Sequence, residues 1–95
     1  MSLPLISPEV TTPEVNTKRW MVTLFNDDVT PIYSVIRILI QATKCSQEEA
    51  AIETWEAHNF GKAPVHFASE EECRMVAKVI SSIGVKTEVS PEWAD

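Results

Sequence analysis

The sequence predicts a small α+β domain, a split βαβ sandwich in which a three-stranded antiparallel sheet carries helices in the order β-α-α-β-α-β. Three observations lead there. Residues Trp20 to Phe25 alternate across two faces that are both largely apolar, as in a central strand. Apolar residues then recur at helical spacing in three stretches, and two of these open on Ser-x-x-Glu, the capping-box signal. Last, Val85-Lys86-Thr87-Glu88-Val89 alternates apolar and polar, the mark of a strand with one wet face. If successive elements run antiparallel, the second and third strands point the same way and the first, pointing against both, pairs between them.

The elements follow in chain order. Residues 1–18 carry Pro4, Pro8 and Pro13 among Ser, Thr and Glu with no sustained apolar period, so a flexible N-terminal arm is expected ahead of a domain at 19–95. The strand over Trp20–Phe25 runs into a polar hinge, Asn26-Asp27-Asp28-Val29-Thr30-Pro31. Thr30 is placed to cap a helix, with Pro31 at its first position where no hydrogen bond is lost. Ile32, Val35, Ile36, Leu39 and Ile40 build one apolar stripe on that helix, which is expected to run to about Thr43. Ser46-Gln47-Glu48-Glu49 opens a second helix through Ala51, Ile52, Trp55 and His58, and Gly61 is placed to end it. Pro64 to Ala68 reads as a short strand with Val65 and Phe67 on one face. Ser69-Glu70-Glu71-Glu72 repeats the capping signal, and Cys73, Val76, Ala77 and Ile80 recur until Gly84. The last strand, Val85–Val89, is expected to stop before Pro91, and Trp20 and Trp55 are expected in the core.

Composition narrows the function. A net charge of −6 disfavours general nucleic-acid binding, which needs clustered Lys and Arg, and favours cationic or apolar partners. No run of eighteen apolar residues occurs, and Met1-Ser2-Leu3-Pro4 lacks the basic start of a signal peptide, so a membrane role is not expected. Cys45 and Cys73 fall in helical contexts with no paired-cysteine motif near either, which suggests reduced thiols and a cytoplasmic protein. Asp27 and Asp28 as paired carboxylates with His58 as base, or with His58 and His66 joining them around a metal, are the one route to an enzyme. No HExxH, CxxC, nucleophile elbow or phosphate loop accompanies them, so neither an enzyme, a cofactor nor a metal is expected.

The hinge is the stretch that points to a binding site. A side-chain carbonyl at Asn26 and carboxylates at Asp27 and Asp28, facing outward beside an apolar surface, suit a cation with an apolar neighbour. Alone, such residues are also ordinary turn formers, and His58 alone is an ordinary helix-end residue. Taken together, Phe25-Asn26-Asp27-Asp28-Val29-Thr30-Pro31, Glu56-Ala57-His58 and Gly61-Lys62 resemble the ClpS family of Clp protease adaptors, over about Trp20 to Val89. The resemblance implies an N-recognin, which binds the free amino terminus of N-degron substrates with a bulky hydrophobic first residue and delivers them to a Clp AAA+ unfoldase of the ClpA or ClpC type.

By that resemblance Asn26, Asp27 and His58 hold the substrate's α-amino group, while Thr30, Ile32, Val35, Thr54 and Ala57 line the hydrophobic pocket, with Asp28 and Val85 added at its edge. Ile32 stands where the family usually has a methionine gate, and Thr54 and Ala57 are smaller or more polar than the usual wall. Val65-His66 replaces a Cys-Gly pair, and Met75 or Val76 falls where a lysine is usual on the face that meets the unfoldase. The arm is expected to help engage the unfoldase. The chemistry is consistent with these roles: an α-ammonium group has three donors and a charge, matched by an amide oxygen, a carboxylate and a neutral imidazole. Binding is therefore expected to weaken as pH falls and His58 takes a proton. The alternative is a ClpS-like docking or regulatory module of the unfoldase without N-degron recognition.

Overall fold

The computed structural model describes residues 18–93; the expected arm lies almost wholly outside them. The elements are β1 (Trp20–Phe25), α1 (Ile32–Thr43), α2 (Gln47–Phe60), β2 (Lys62–Ala68), α3 (Glu70–Ser81) and β3 (Thr87–Pro91). The sheet has the order β2-β1-β3, and both pairings are antiparallel. The doubly apolar strand is thus the central one, as the sequence predicts. Among the described residues no helix is long and apolar enough to cross a membrane.

The helices pack on the sheet face that carries Val22 and Leu24. These two join Val35 and Leu39 of α1, Ala50 and Ala57 of α2, and Cys73 and Ile80 of α3 in one buried cluster. Burying an aliphatic side chain of this size contributes about 1.5–3 kcal/mol, so this cluster is what fixes the helices, and with them the hinge, on the sheet. Both thiols are free; Cys73 is buried in α3, whereas Cys45 lies in the α1–α2 connection rather than on a helix.

Several boundaries differ from the sequence expectation, each for a local reason. β2 begins at Lys62 and takes in Pro64, which a sheet tolerates here because β2 is an edge strand and the pairing slips past Val65 in a bulge, from Val22↔His66 to Thr23↔Pro64. β3 starts two residues late. Gly84, at φ 100°, turns the chain after α3, Val85 is buried in the core, and pairing begins only at Leu24↔Thr87. Pro91 then sits inside β3 opposite Trp20, and the pairing continues beyond it through Glu92 N–H to Arg19 C=O at 2.9 Å. The Arg19 guanidinium clasps the Glu92 carboxylate with two bonds of 2.8 and 3.1 Å.

The second helix shows the largest difference. Its capping box forms in full: Ser46 Oγ accepts from Glu49 N–H, and Glu49 Oε1 accepts from Ser46 N–H, each at 3.1 Å. Yet the side it buries is Ala50, Thr54 and Ala57, not the larger apolar residues; Ile52 and Trp55 are 57% and 59% exposed. Trp55 therefore leaves the core and meets exposed Phe60 edge to face, with ring centroids 6.0 Å apart. Trp20 packs half-buried against the core. In α3 only half of the capping box forms, because Ser69 Oγ accepts from Glu72 N–H while the Glu72 carboxylate bonds His66 Nε2 at 2.7 Å instead.

Candidate functional site

The hinge is pinned at its entry by the sheet and by the end of α2. Phe25 N–H donates to Lys86 C=O at 3.0 Å and Asn26 N–H to Gly61 C=O at 2.9 Å. Gly61 itself closes α2 in the left-handed conformation, φ 91°, with its N–H on Ala57 C=O. The start of the hinge and the last turn of α2 are thereby held side by side, which is how His58 comes to face the hinge across a cavity.

Within the hinge, Asp27 is the organising group. Its Oδ1 accepts from the N–H groups of Val29 at 2.7 Å and Thr30 at 3.3 Å, and its Oδ2 accepts from the Thr30 hydroxyl at 2.6 Å. The Thr30 hydroxyl, followed by the Val29 N–H, holds the Asp27 carboxyl below the usual carboxylate range against the upward pull of partial burial. This corrects two sequence expectations. Thr30 does not cap α1, since its hydroxyl finds a charged acceptor instead; the helix starts at Ile32, with Pro31 in the flanking position and no side-chain cap. Nor do the three polar side chains all point outward, because Asp27 is turned onto its own loop and Asn26 Nδ2 donates to Asp28 Oδ1 at 3.2 Å.

What remains open is a set of acceptors. The Asn26 side-chain oxygen and the His58 imidazole accept no hydrogen bond within the described residues. A carboxylate offers about four acceptor positions, of which Asp27 uses three. These groups border a cavity of about 260 Å³. Ile32 and Val35 of α1 and Thr54 and Ala57 of α2 supply its apolar walls, with Leu24 and Val85 beneath. The Thr54 hydroxyl donates to Ala50 C=O at 2.7 Å, so this buried polar group is already satisfied within its helix. Ile32, 53% exposed, stands at the rim.

All ten residues that the sequence and its resemblance single out, including Asp28 and Thr30, border this one cavity. Four more do so without having been expected: Leu24, Phe25, Val29 and Pro31. Their places next to or inside the hinge were the available signal. Val29 in particular is an apolar residue 89% exposed in the middle of a polar loop. Phe25 adds a basic fringe, since Lys62 and Lys86 lie 5.9 and 5.0 Å from its ring centroid. A second, shallower groove on the other side of α1, between Arg37, Gln41 and Ile83, contains none of the expected residues. Among the described residues no group of three or more His, Cys, Asp or Glu could hold a metal ion.

The arrangement can take a cation at its mouth and an apolar side chain in its interior. No curated sequence matches the chain. Among solved structures, that of Agrobacterium tumefaciens ClpS2 bound to L-phenylalaninamide is similar, with a TM-score of 0.75 and 27% identity over 79% of this chain and 98% of that one. The family model for the ATP-dependent Clp protease adaptor protein ClpS matches residues 15–88. On sequence and fold together, the chain belongs to the ClpS family of Clp protease adaptors.

Proposed function

We propose that the cavity seats the first residue of a polypeptide that has a free amino terminus and a bulky hydrophobic side chain, and that the protein hands such N-degron substrates to a Clp AAA+ unfoldase. The observation that carries this reading is the meeting of unspent acceptors on Asn26, Asp27 and His58 with apolar walls from Ile32, Val35 and Ala57 around one cavity of about 260 Å³. In this reading the α-ammonium group bonds those three residues, each charge-assisted bond contributing on the order of 1.5–3 kcal/mol. The side chain enters past Ile32 and lies against Val35, Thr54 and Ala57, which adds roughly another 1.5–3 kcal/mol. Neither half suffices once the cost of association is subtracted. The phenylalaninamide bound by the Agrobacterium relative, a free amine on an aromatic residue, is a ligand of this type. The family's name supports a Clp unfoldase as partner and a role in binding rather than catalysis.

The test is a two-dimensional NMR titration with L-phenylalaninamide and with its N-acetyl form. The free amine is expected to shift the signals of residues 26–30 and 54–58, and the acetylated form to leave them in place. Equal responses to both, or none, would transfer the protein to the docking-module reading.

A further inference from the structure

The rim of the cavity carries charge of both signs, and the two signs are set apart. Asp27 and Asp28 border it on the hinge. Phe25, the last residue of β1, borders it as well, and two ammonium groups lie at its ring, Lys62 Nζ at 5.9 Å and Lys86 Nζ at 5.0 Å from the centroid. The backbone brings the lysines there from both sides. Lys62 opens β2 as the register partner of Phe25, and Lys86 C=O accepts the Phe25 N–H at 3.0 Å. The next residue, Asn26, donates its N–H to C=O of Gly61, the neighbour of Lys62. Both lysines are thereby tied to the residue that comes directly before the first acceptor of the hinge.

In a chain of net charge −6 these two cations stand apart from the carboxylates. Arg19 is paired with Glu92 and Arg74 with Glu70, whereas neither Lys62 nor Lys86 forms an ion pair within the described residues. An aromatic face attracts a cation but supplies no full counter-charge, and two ammonium groups at one ring repel each other until an anion joins them. On the reading of the cavity as a seat for a free N-terminal residue, the chain that follows must leave over the rim. It gains about 3.3 Å per residue, so its second to fourth residues are those within reach of Phe25 and the lysines. We infer that Lys62 and Lys86 form an anion subsite beside the pocket, and that the preferred substrates carry Asp or Glu within the three residues after the first. The amino group then meets the acidic side of the rim and the carboxylate meets the basic side.

The experiment is fluorescence anisotropy with peptides that begin Phe-Asn-Asn-Asn, and with three relatives in which one of the asparagines is replaced by Asp, each free and N-acetylated, at low and at high salt. Asn matches Asp in shape, so the comparison isolates the charge. At least one of the Asp peptides is expected to bind the full chain about three- to fivefold more tightly than the Asn peptide at low salt, the upper range for exposed ion pairs, and the advantage is expected to shrink at high salt. Lys62→Gln combined with Lys86→Gln is expected to erase the advantage, while its retained binding of the free Asn peptide reports an intact fold and pocket. Asp peptides bound no more tightly than the Asn peptide, or an advantage that survives in the double variant, overturn the anion subsite and leave N-terminal recognition standing. Free peptides that bind no better than acetylated ones overturn both.

Discussion

Asp27 and Glu53 are both half-buried carboxylates, and they end in opposite states. Asp27 lies in a loop, where backbone N–H groups are not committed to a helix, and it collects two of them and a hydroxyl. Its carboxyl is held below the usual range, so the pocket mouth keeps its negative charge through neutral and mildly acid pH. Glu53 lies on α2, whose N–H groups are spent on the helix's own carbonyls. Its Oε1 is buried without a partner, and burial first, then the nearby charges of Glu49 and Glu56, push its carboxyl up to about 7. The difference teaches that an acid keeps its charge where donors meet it and is pushed toward the neutral form where burial is offset by none. The loop stabilises a charge at the pocket mouth, and the helix disfavours one.

Three substitutions break or sharpen this contrast, in falling order of effect. Asp27→Ala removes the bonds that shape the hinge together with the charge, and is expected to lower affinity for a free N-terminal peptide at least about thirtyfold in an anisotropy titration. Its thermal midpoint should move little, because the core lies elsewhere. An unchanged affinity would show that the ordered hinge is irrelevant to binding. Thr30→Val keeps the shape and deletes the bond that contributes most to holding Asp27 ionised. A loss of about five- to tenfold in affinity is expected from one bond to a charged group, with the Asp27 carboxyl resonance titrating at higher pH.

Glu53→Gln acts on stability instead. Because the folded-state value of Glu53, about 7, lies above its ordinary 4.5, the folded protein binds the extra proton between those limits. The penalty is absent below 4.5, grows as pH rises, and is complete above about 7. Denaturant unfolding is therefore expected to show the Gln variant more stable by on the order of 1 kcal/mol at pH 8, after allowing for solvent screening of the exposed half of the side chain. Near pH 4.5 the two proteins should converge. A gain that is the same at both pH values would mean that side-chain shape, not charge, is the cause. Asp27 has the opposite sign: what its bonds contribute persists above the ordinary carboxylate value of 3.8 and is lost only as pH falls through its lowered one.

The sequence made the architecture legible where apolar spacing and burial coincide, as in β1, α1 and α3. It misled in α2 because that helix borders the cavity. Its inward side is made of small residues, Ala50, Thr54 and Ala57, the last two on the cavity, while Ile52 and Trp55, the larger members of the apparent stripe, go outside. The hinge was recognisable from Asn26-Asp27-Asp28 and Thr30-Pro31, but not the competition inside it, in which a charged oxygen on Asp27 takes the Thr30 hydroxyl from the helix end. Thr54 and Ala57 entered through the family resemblance, since nothing in their own spacing points to a pocket, whereas His58 was raised by its spacing from the hinge. The late start of β3 follows from Val85, whose apolar side chain is satisfied by the core before strand pairing begins.

The most direct test of the central claim, that this pocket recognises a free amino terminus with its side chain, is the affinity of one labelled peptide with a bulky first residue, measured free and N-acetylated. Acetylation removes the charge and most of the donors while leaving the side chain untouched. The account predicts a loss of about a hundredfold, or roughly 2.7 kcal/mol, and a matching loss for the free peptide against Asn26→Ala combined with His58→Ala. Equal binding of the two peptides would contradict it.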